Sequence, residues 1–284
     1  MKSLIINADD AGYSDAVNEA VRKCYLSGVI TGVSVMACGK RFHEACAILR
    51  DLGKTEVGVH LTLTGHFTPC TKPFLSIETL LRKGTFVGNY WGFMLLSARK
   101  KLKSEQIYLE LSNQIKKVKE EGLEVTHLDS HEHIHMFPEV LDVTMRLASE
   151  FNIPYMRLPL EKAAVMRKQF RVKDLLRHSG LKVFTSRAKR VASRAHVKCN
   201  DAFLGHFHSG RIDDDILTFM VENLADGVNE LASHPGIFPR ELSEKSPGRH
   251  RNAQKELDTL ISGRWKRHLD AGGIRLISHR ESAG

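Results

Sequence analysis

Histidine and aspartate residues recur in short groups along the chain, and these side chains bind transition metals and move protons. Asp9 and Asp10 are adjacent near the amino terminus, and His60 follows an apolar stretch. Four histidines lie within nine residues: His127, His131, His133 and His135. Two histidines and one carboxylate can hold a divalent ion that activates water, and a second carboxylate can take the proton. The combined pattern therefore indicates a hydrolytic metal site.

Each of these residues has a plainer interpretation when it is taken alone. An Asp pair often begins a turn or caps a helix, and a histidine on an apolar strand is often a hydrogen-bonded core residue. The two aspartates can share a site only if the chain turns there, which Gly12 favours. Alternation along an extended segment predicts that the histidines at 131, 133 and 135 lie on one side.

The elements that must position these residues alternate between strand and helix. Apolar runs predict strands over residues 3–7, 32–37, 56–61, 125–129, 155–158, 202–207, 230–234 and 274–278. Helical periodicity predicts helices over residues 15–27, 42–52, 105–121, 138–151, 213–224 and 251–261. Repeated strand–helix units favour a closed or nearly closed barrel of parallel strands, with a doubly wound sheet as the alternative. In either fold the candidate residues follow strands, so they meet at the carboxyl ends.

Length and composition are those of a folded protein. The chain has 284 residues and a formal net charge of +9, and 42% of its residues are hydrophobic, which excludes wholesale disorder. We find no repeat and no linker, so we expect a single domain over residues 1–284. The longest apolar-leaning stretch, residues 28–39, is too short to cross a bilayer, and the N-terminal one is too short for a signal peptide. Five cysteines without a CxxC pair predict a reducing cytoplasm, with Cys24 and Cys46 as core thiols.

Two segments depart from the alternating pattern. Residues 62–103 contain two prolines and several glycines and are predicted to be an irregular loop or lid. Residues 162–198 contain twelve Lys or Arg and one acid, which indicates either a solvated helical face or attraction to an anionic partner. The absence of a recognition motif argues against specific nucleic-acid binding. The basic run 99–103 follows the apolar run 91–96, so it is either an exposed loop or a weak membrane-surface contact.

Several motifs stand in the order found in one known family. They are Asn7-Ala8-Asp9-Asp10, Gly58-Val59-His60-Leu61, the stretch from Thr126 to Pro138 with its four histidines, and His234-Pro235-Gly236. The sequence resembles the YdjC-like carbohydrate deacetylases, which include the ChbG chitooligosaccharide deacetylases and the hopanoid-associated HpnK proteins. The resemblance spans residues 1 to about 240, and Arg251 to Leu257 is similar to the family's closing helix. One departure is Ala11, where the family usually has Phe, and this difference concerns substrate shape.

The resemblance implies a distorted (β/α) barrel and metal-dependent removal of an N-acetyl group from an amino sugar, which is either chitooligosaccharide-like or lipid-linked. It assigns one divalent ion, Mg or Zn first and Mn, Co or Ni as alternatives, to Asp10, His60 and His131. The other assignments are Asp9 as base, His234 as the assisting histidine, Asp129 as partner of a ligand histidine, Arg157 as a substrate contact, and His133 and His135 as supporting or substrate-binding residues.

Two other functions remain open on the sequence. A phosphoesterase would keep the metal and use the basic segment to hold phosphate. A non-catalytic protein that binds sugars or anions would keep the scaffold, although binding alone does not need both aspartates. The basic segment also suggests that the sugar substrate is anionic or lipid-linked, and the base rate of oligomers favours a homodimer.

Overall fold

The computed structural model describes residues 1–161, 184–237 and 252–284. Ten strands lie in these ranges: β1 (Lys2–Ala11), β2 (Gly32–Val35), β3 (Glu56–Leu61), β4 (Leu81–Arg82), β5 (Thr85–Phe86), β6 (Glu124–Ser130), β7 (Tyr155–Met156), β8 (Ala202–Leu204), β9 (Gly227–Ser233) and β10 (Arg275–Leu276). Eight of them form one parallel sheet in the order β7-β6-β3-β2-β1-β9-β8, with β10 paired to the start of β1. Strands β4 and β5 form a separate antiparallel hairpin.

Helices surround the sheet. They are α1 (Asp15–Leu26), α2 (Phe42–Asp51), α3 (Tyr90–Ala98), α4 (Ser104–Glu120), α5 (Pro138–Glu150), α6 (residues 184–194), α7 (Asp214–Glu222), α8 (Ala253–Ser262), α9 (Lys266–Ala271) and α10 (His279–Ala283). Helix α1 illustrates why they form. Ser14 caps its first turn by accepting the Val17 N–H, and its apolar residues recur at helical spacing and are buried against the sheet.

The two edges of the sheet approach each other, so the sheet curls into a distorted barrel. Isolated parallel bridges join Tyr155 to Lys198 and Glu161 to Phe203 of β8. The Phe203 N–H donates to the Leu160 carbonyl at 3.3 Å. The predicted barrel is therefore confirmed, and the doubly wound alternative, which would leave both edges open, does not apply.

The core lies on both sides of the strands. Eight consecutive residues of β1 are buried, which is usual for a parallel strand covered on both faces. Cys24 on α1 and Cys46 on α2 are fully buried among apolar side chains, as predicted. All five cysteines are free thiols.

The sequence-based element boundaries fail mainly in two places. Residues 62–103, predicted to be irregular, contain a 3-10 helix over Phe74–Leu80, the β4–β5 hairpin and α3. Helices α9 and α10 near the carboxyl terminus were not predicted. These elements are short, so their hydrophobic periodicity is too weak to distinguish them from the loops that prolines and glycines indicate.

Parts of two predictions fall outside the described residues. Residues 162–183 of the basic segment lie there, whereas residues 184–194 are helical as α6. Arg251, the predicted start of the last long helix, also lies there, and α8 starts at Ala253. Within the described ranges, every helix is too short or too polar to span a bilayer.

Candidate active site

Strand β1 ends in a bulge that brings two neighbouring aspartates into one site. Its pairing with β2 shifts register between Ala8 and Ala11, and Asp10 has a φ of 65°. Consecutive side chains on a regular strand point to opposite faces, and this left-handed residue breaks the alternation. Both Asp9 and Asp10 consequently lie within 4.8 Å of His60, measured between potential ligand atoms. The chain turn that allows both aspartates to share one site therefore begins at Asp10.

Three buried or nearly buried side chains form a candidate metal cluster. Asp10 Oδ1 lies 3.1 Å from His131 Nδ1 and 3.3 Å from His60 Nε2. All three ligand atoms lie within 4.8 Å of one another. His131 is the most exposed of the three, with 14% of its side chain accessible. The set contains two imidazoles and one carboxylate, which suits a divalent ion with an open position.

The parallel sheet explains how residues so far apart in sequence meet here. Strands β1, β3 and β6 lie close together in the sheet, and each contributes residues from its carboxyl end. The register of β3 with β6 places His60 directly beside Asp129. His131 follows β6 at the start of a 3-10 turn. The predicted position of the site at the strand ends therefore follows from the sheet order.

Arg157, just beyond β7, is fully buried and binds three carboxylates. Its guanidinium donates to both oxygens of Asp9 at 2.7 and 2.8 Å. It also contacts Asp129 Oδ2 at 2.7 Å and Glu230 Oε1 at 2.6 Å. These contacts fix the orientation of Asp9. The Arg157 side chain has no solvent exposure, whereas the sequence predicted that it contacts substrate.

Asp129 connects this network to the metal cluster. Its Oδ1 lies 2.9 Å from His60 Nδ1, which leaves His60 Nε2 directed at Asp10. Its Oδ2 accepts a hydrogen bond from Ser34 at 2.9 Å in addition to that from Arg157. A carboxylate in this position fixes the tautomer and the ring orientation of a ligand histidine.

Sequence reasoning missed three buried polar residues that hold the site. Asn7 donates to Asp9 Oδ1 at 2.7 Å and to Ser34 Oγ at 2.8 Å, and Glu230 on β9 holds Arg157. Asn7 stands in the quoted motif but had no role there. Ser34 and Glu230 lie on strands, and a polar residue on a buried strand is the signal that would have found them.

Charge in this site is dominated by carboxylates. Burial raises the pKa of Asp9 and of Asp10, but Arg157 near Asp9 and His131 near Asp10 outweigh burial and hold both pKa values well below the usual range. Burial lowers the pKa of His60, and the carboxylates around it, Asp129 first, reverse this and raise it to about 10. The pocket therefore attracts positive charge.

A small cavity is lined by both Asp9 and His234. The His234 Nε2 atom lies 3.8 Å from Asp9 Oδ2, and its backbone N–H donates to Glu256 Oε1 of α8 at 2.7 Å. Other residues lining the cavity include His60, Glu132, His133, Phe203, Gly205, His206, Ser209 and Ala232. The cavity is thus bordered by both a carboxylate and an imidazole.

The three closely spaced histidines do not share one side, which corrects the prediction from alternation. Glu132 and His133 have φ values of 56° and 58°, so the segment is a turn rather than an extended strand. His133 lines the small cavity, whereas His135 is fully buried and contacts the Ser130 hydroxyl and the Arg157 carbonyl. Burial lowers the pKa of His135 to about 4.

A second cavity, of about 790 Å³, is lined in part by Phe67, which contacts His131. The Phe67 ring packs edge-on against His131 at 5.9 Å and against Tyr13 at 5.8 Å, and both aromatic residues line the cavity. Lys40 and Lys72 also line it and are exposed. The cavity is therefore aromatic next to the metal cluster and carries positive charge.

Another group with metal-ligand side chains borders this cavity. Cys38 and Cys70 have their sulfur atoms 3.5 Å apart, and Cys38 lies 3.6 Å from Glu110 Oε1. Glu110 accepts hydrogen bonds from the backbone N–H groups of Cys70 and Thr71 and from the Gln114 side chain. Its oxygens are already satisfied by these donors, so Glu110 anchors the loop, and the cluster around Asp10 is the better metal candidate.

Known proteins resemble this chain over most of its length. The family model described as YdjC-like protein matches residues 3–271. A carbohydrate deacetylase of Brevibacillus brevis is 27% identical over 98% of both chains. A chitooligosaccharide deacetylase of Salmonella newport is 27% identical over 83% of this chain and 97% of its own. A crystal structure from Enterococcus faecalis, described as a proposed cellobiose-phosphate cleavage protein, superposes with a TM-score of 0.77 at 25% identity and covers 100% of this chain and 99% of its own. The chain belongs to the YdjC-like family.

Proposed function

We propose that this protein is a carbohydrate deacetylase that hydrolyses the N-acetyl group of an amino sugar. The observation that carries the proposal is the pairing of a metal-type cluster with a second carboxylate, Asp9, and an imidazole, His234, at one cavity. Amide hydrolysis needs a proton acceptor for the attacking water and a proton donor for the departing amine. The two curated relatives described above, named as deacetylases, support the same reaction class.

The residues present fit a divalent ion. Asp10, His60 and His131 would hold it, since their donor atoms converge and belong to types that bind such ions. Four buried carboxylates lie in this region, those of Asp9, Asp10, Asp129 and Glu230. Among the described residues, the one buried guanidinium, Arg157, offsets only part of their charge. Buried charge of one sign requires compensation, and a cation provides it. When bound, a divalent ion supplies Lewis acidity and lowers the pKa of water.

The chain's own residues then have separable roles. Asp9 takes a proton from the attacking water, and Arg157 with Asn7 holds its carboxylate in position. Because Arg157 keeps the pKa of Asp9 low, Asp9 acts through its position more than through its basicity. His234, which lines the same cavity, donates a proton to the amine. Water and the amide are consumed, and acetate and the free amine are released.

The larger cavity suggests the substrate class. Tyr13 and Phe67 offer ring faces and edges for a sugar, while Lys40 and Lys72 favour an anionic substituent. We propose an N-acetylated amino sugar carrying a negative group, with a lipid-linked sugar as the alternative. We also propose a cytoplasmic location, consistent with five free thiols, and a homodimer.

The test is product analysis on metal-depleted protein reloaded with Mg, Zn, Mn, Co or Ni. A panel of N-acetylated sugars, free, phosphorylated and lipid-linked, is assayed for acetate and for phosphate in the same samples. Acetate release is the expected result. Phosphate release without acetate would establish the phosphoesterase alternative, and neither product together with no bound metal would favour a non-catalytic binding protein.

Substitution of each aspartate in turn distinguishes the role of Asp9 from that of Asp10. We expect Asp9→Asn to keep its metal content and lose turnover by about 100- to 10,000-fold, the usual contribution of a general base. Asp10→Asn should lose both, since Asp10 contacts both histidines of the cluster. Normal turnover of Asp9→Asn would refute its role as proton acceptor.

A further inference from the structure

Helix α3 has no polar face toward solvent. Tyr90, Phe93 and Leu96 are buried, and the first two pack against Phe137 at 5.4 and 5.2 Å between ring centroids. The opposite side presents Trp91, Met94 and Leu95, which are exposed. A surface helix ordinarily pairs one apolar face with one polar face. An apolar outer face indicates that something covers it.

The exposed apolar side chains concentrate in this one region. Among the described residues, nine large hydrophobic side chains are exposed, and five lie between positions 74 and 95: Phe74, Leu75, Trp91, Met94 and Leu95. Leu75 is 77% exposed, and Trp91 and Leu95 are each 48% exposed. Scattered exposed residues need no explanation, but a cluster on one insertion marks an interaction surface. We call the exposed face of α3, formed by Trp91, Met94 and Leu95, the apolar patch.

Strong positive charge accompanies the apolar patch. Residues 62–103 contain seven basic residues and a single acid, Glu78, whose carboxylate lies 3.8 Å from Lys103. Four of the basic residues follow α3 directly as Arg99, Lys100, Lys101 and Lys103, and all four are exposed. Apolar and basic side chains side by side match the acyl boundary and the headgroups of an anionic bilayer.

We propose that residues 90–103 form a docking surface for a membrane that contains anionic lipid. The charge argues against a second copy as the occupant, because a two-fold contact would place the same basic runs close together. Trp91 is suited to the interfacial region of a bilayer. Vesicle binding is measured without substrate, so the proposal is independent of the proposed function.

The chain contains two tryptophans, which makes the test specific. Trp265 is fully buried and donates from Nε1 to the Leu260 carbonyl, whereas Trp91 lies in the apolar patch. Vesicles of phosphatidylcholine with phosphatidylglycerol should shift the emission to the blue, and brominated lipid should quench it. Trp91→Phe should abolish this signal and still co-sediment. A shift that persists in Trp91→Phe would overturn the proposed surface.

Co-sedimentation with the same vesicles measures binding directly. Wild-type protein should bind phosphatidylglycerol vesicles more strongly than phosphatidylcholine alone, and high salt should weaken binding. Leu95→Ser should reduce affinity about tenfold, the effect expected of losing one buried leucine. The matched control is Ile261→Ser, which removes an exposed apolar residue from α8 and should bind as wild type.

Charge reversal provides the second pair of variants. Lys100→Glu with Lys101→Glu should weaken binding by about tenfold or more, because each basic residue near an anionic surface contributes. Arg190→Glu on α6 is the control and should bind normally. Absence of vesicle binding, or equal loss in both controls, would refute the proposal. A concentration-dependent dimer that Leu95→Ser dissociates would identify a second copy as the occupant instead.

Discussion

At the scale of single residues, the site depends on one buried guanidinium. Arg157 holds Asp9 through two hydrogen bonds and also contacts Asp129, the partner of His60. One side chain therefore orients both the proposed proton acceptor and the carboxylate that orients a ligand histidine. Its complete burial argues for a positioning role rather than contact with substrate.

Arg157→Lys tests that role. Lysine keeps the charge but cannot make the two parallel hydrogen bonds to a carboxylate. We expect kcat to fall about 100-fold, as for a catalytic group displaced by about 1 Å, with little change in KM. The measurement is steady-state kinetics of acetate release at saturating metal. A rise in KM at unchanged kcat would instead restore the substrate contact suggested by the sequence.

Asp129→Asn tests the support of His60. The amide removes the charge that faces His60 Nδ1 and the acceptor for Arg157. Loss of such a partner typically weakens metal affinity about 10- to 100-fold. Competition with a metal chelator measures it, with Asp142→Asn on the exposed side of α5 as the control. Equal affinity in Asp129→Asn and wild type would contradict this support.

At the scale of elements, α4 anchors the start of the 62–103 insertion. Glu110 is buried and accepts backbone hydrogen bonds from Cys70 and Thr71, and Gln114 one turn later holds both backbone groups of Thr62. The insertion supplies Phe67 beside His131 and one wall of the larger cavity. The position of that wall relative to the metal cluster therefore depends on a helix distant in sequence.

Glu110→Ala should loosen this wall without touching the metal ligands. Buried N–H groups left without an acceptor cost about 1–3 kcal/mol each. We expect lower stability in urea, a higher KM and an unchanged metal content. Glu105→Ala, at an exposed position on α4, serves as the matched control. A variant with normal KM would show that the loop keeps its place by other contacts.

At the scale of the whole molecule, a buried polar network crosses the barrel. Glu230 on β9 accepts from Arg157 Nε at 2.6 Å and from the Tyr155 hydroxyl at 2.9 Å. It thereby ties β9 to β7, which lie far apart in the sheet order. A carboxylate shared in this way links stability to pH.

The acid dependence of stability follows from Glu230. Burial raises its pKa, but Arg157 outweighs burial and lowers the pKa to about 2 from an ordinary 4.5. A depressed pKa contributes stability above pH 4.5, and this contribution is lost as the pH falls from about 4.5 toward 2. Urea unfolding across this range should show the loss. The Glu230→Gln variant should be less stable at pH 7, and its free energy of unfolding should fall less steeply as the pH is lowered through this range. An unchanged dependence on acid pH would exclude Glu230 as the cause of the loss.

The amino-acid sequence alone predicts the strand–helix alternation, the parallel barrel and the position of the site at the strand ends. Buried parallel strands and amphipathic helices have strong periodicity, so β3 was predicted with its observed bounds and α1 with its Ser14 cap. The insertion at 62–103 was misread because its helices and hairpin are short. The histidine run was misread because two left-handed residues replace the extended segment that alternation assumes.

The candidate chemistry is thus local in the sequence, since Asp9, His60 and His131 are recognisable from type and spacing. Most of their supports are not local, because Ser34, Glu230 and Arg157 become meaningful only when β2, β7 and β9 come together with β1. The role of a buried charged side chain depends on the protein groups that contact it in place of water. The sheet order and the strand register determine which groups those are. Likewise, the exposed apolar face of α3 can be identified only once the structure shows which residues of the helix are buried.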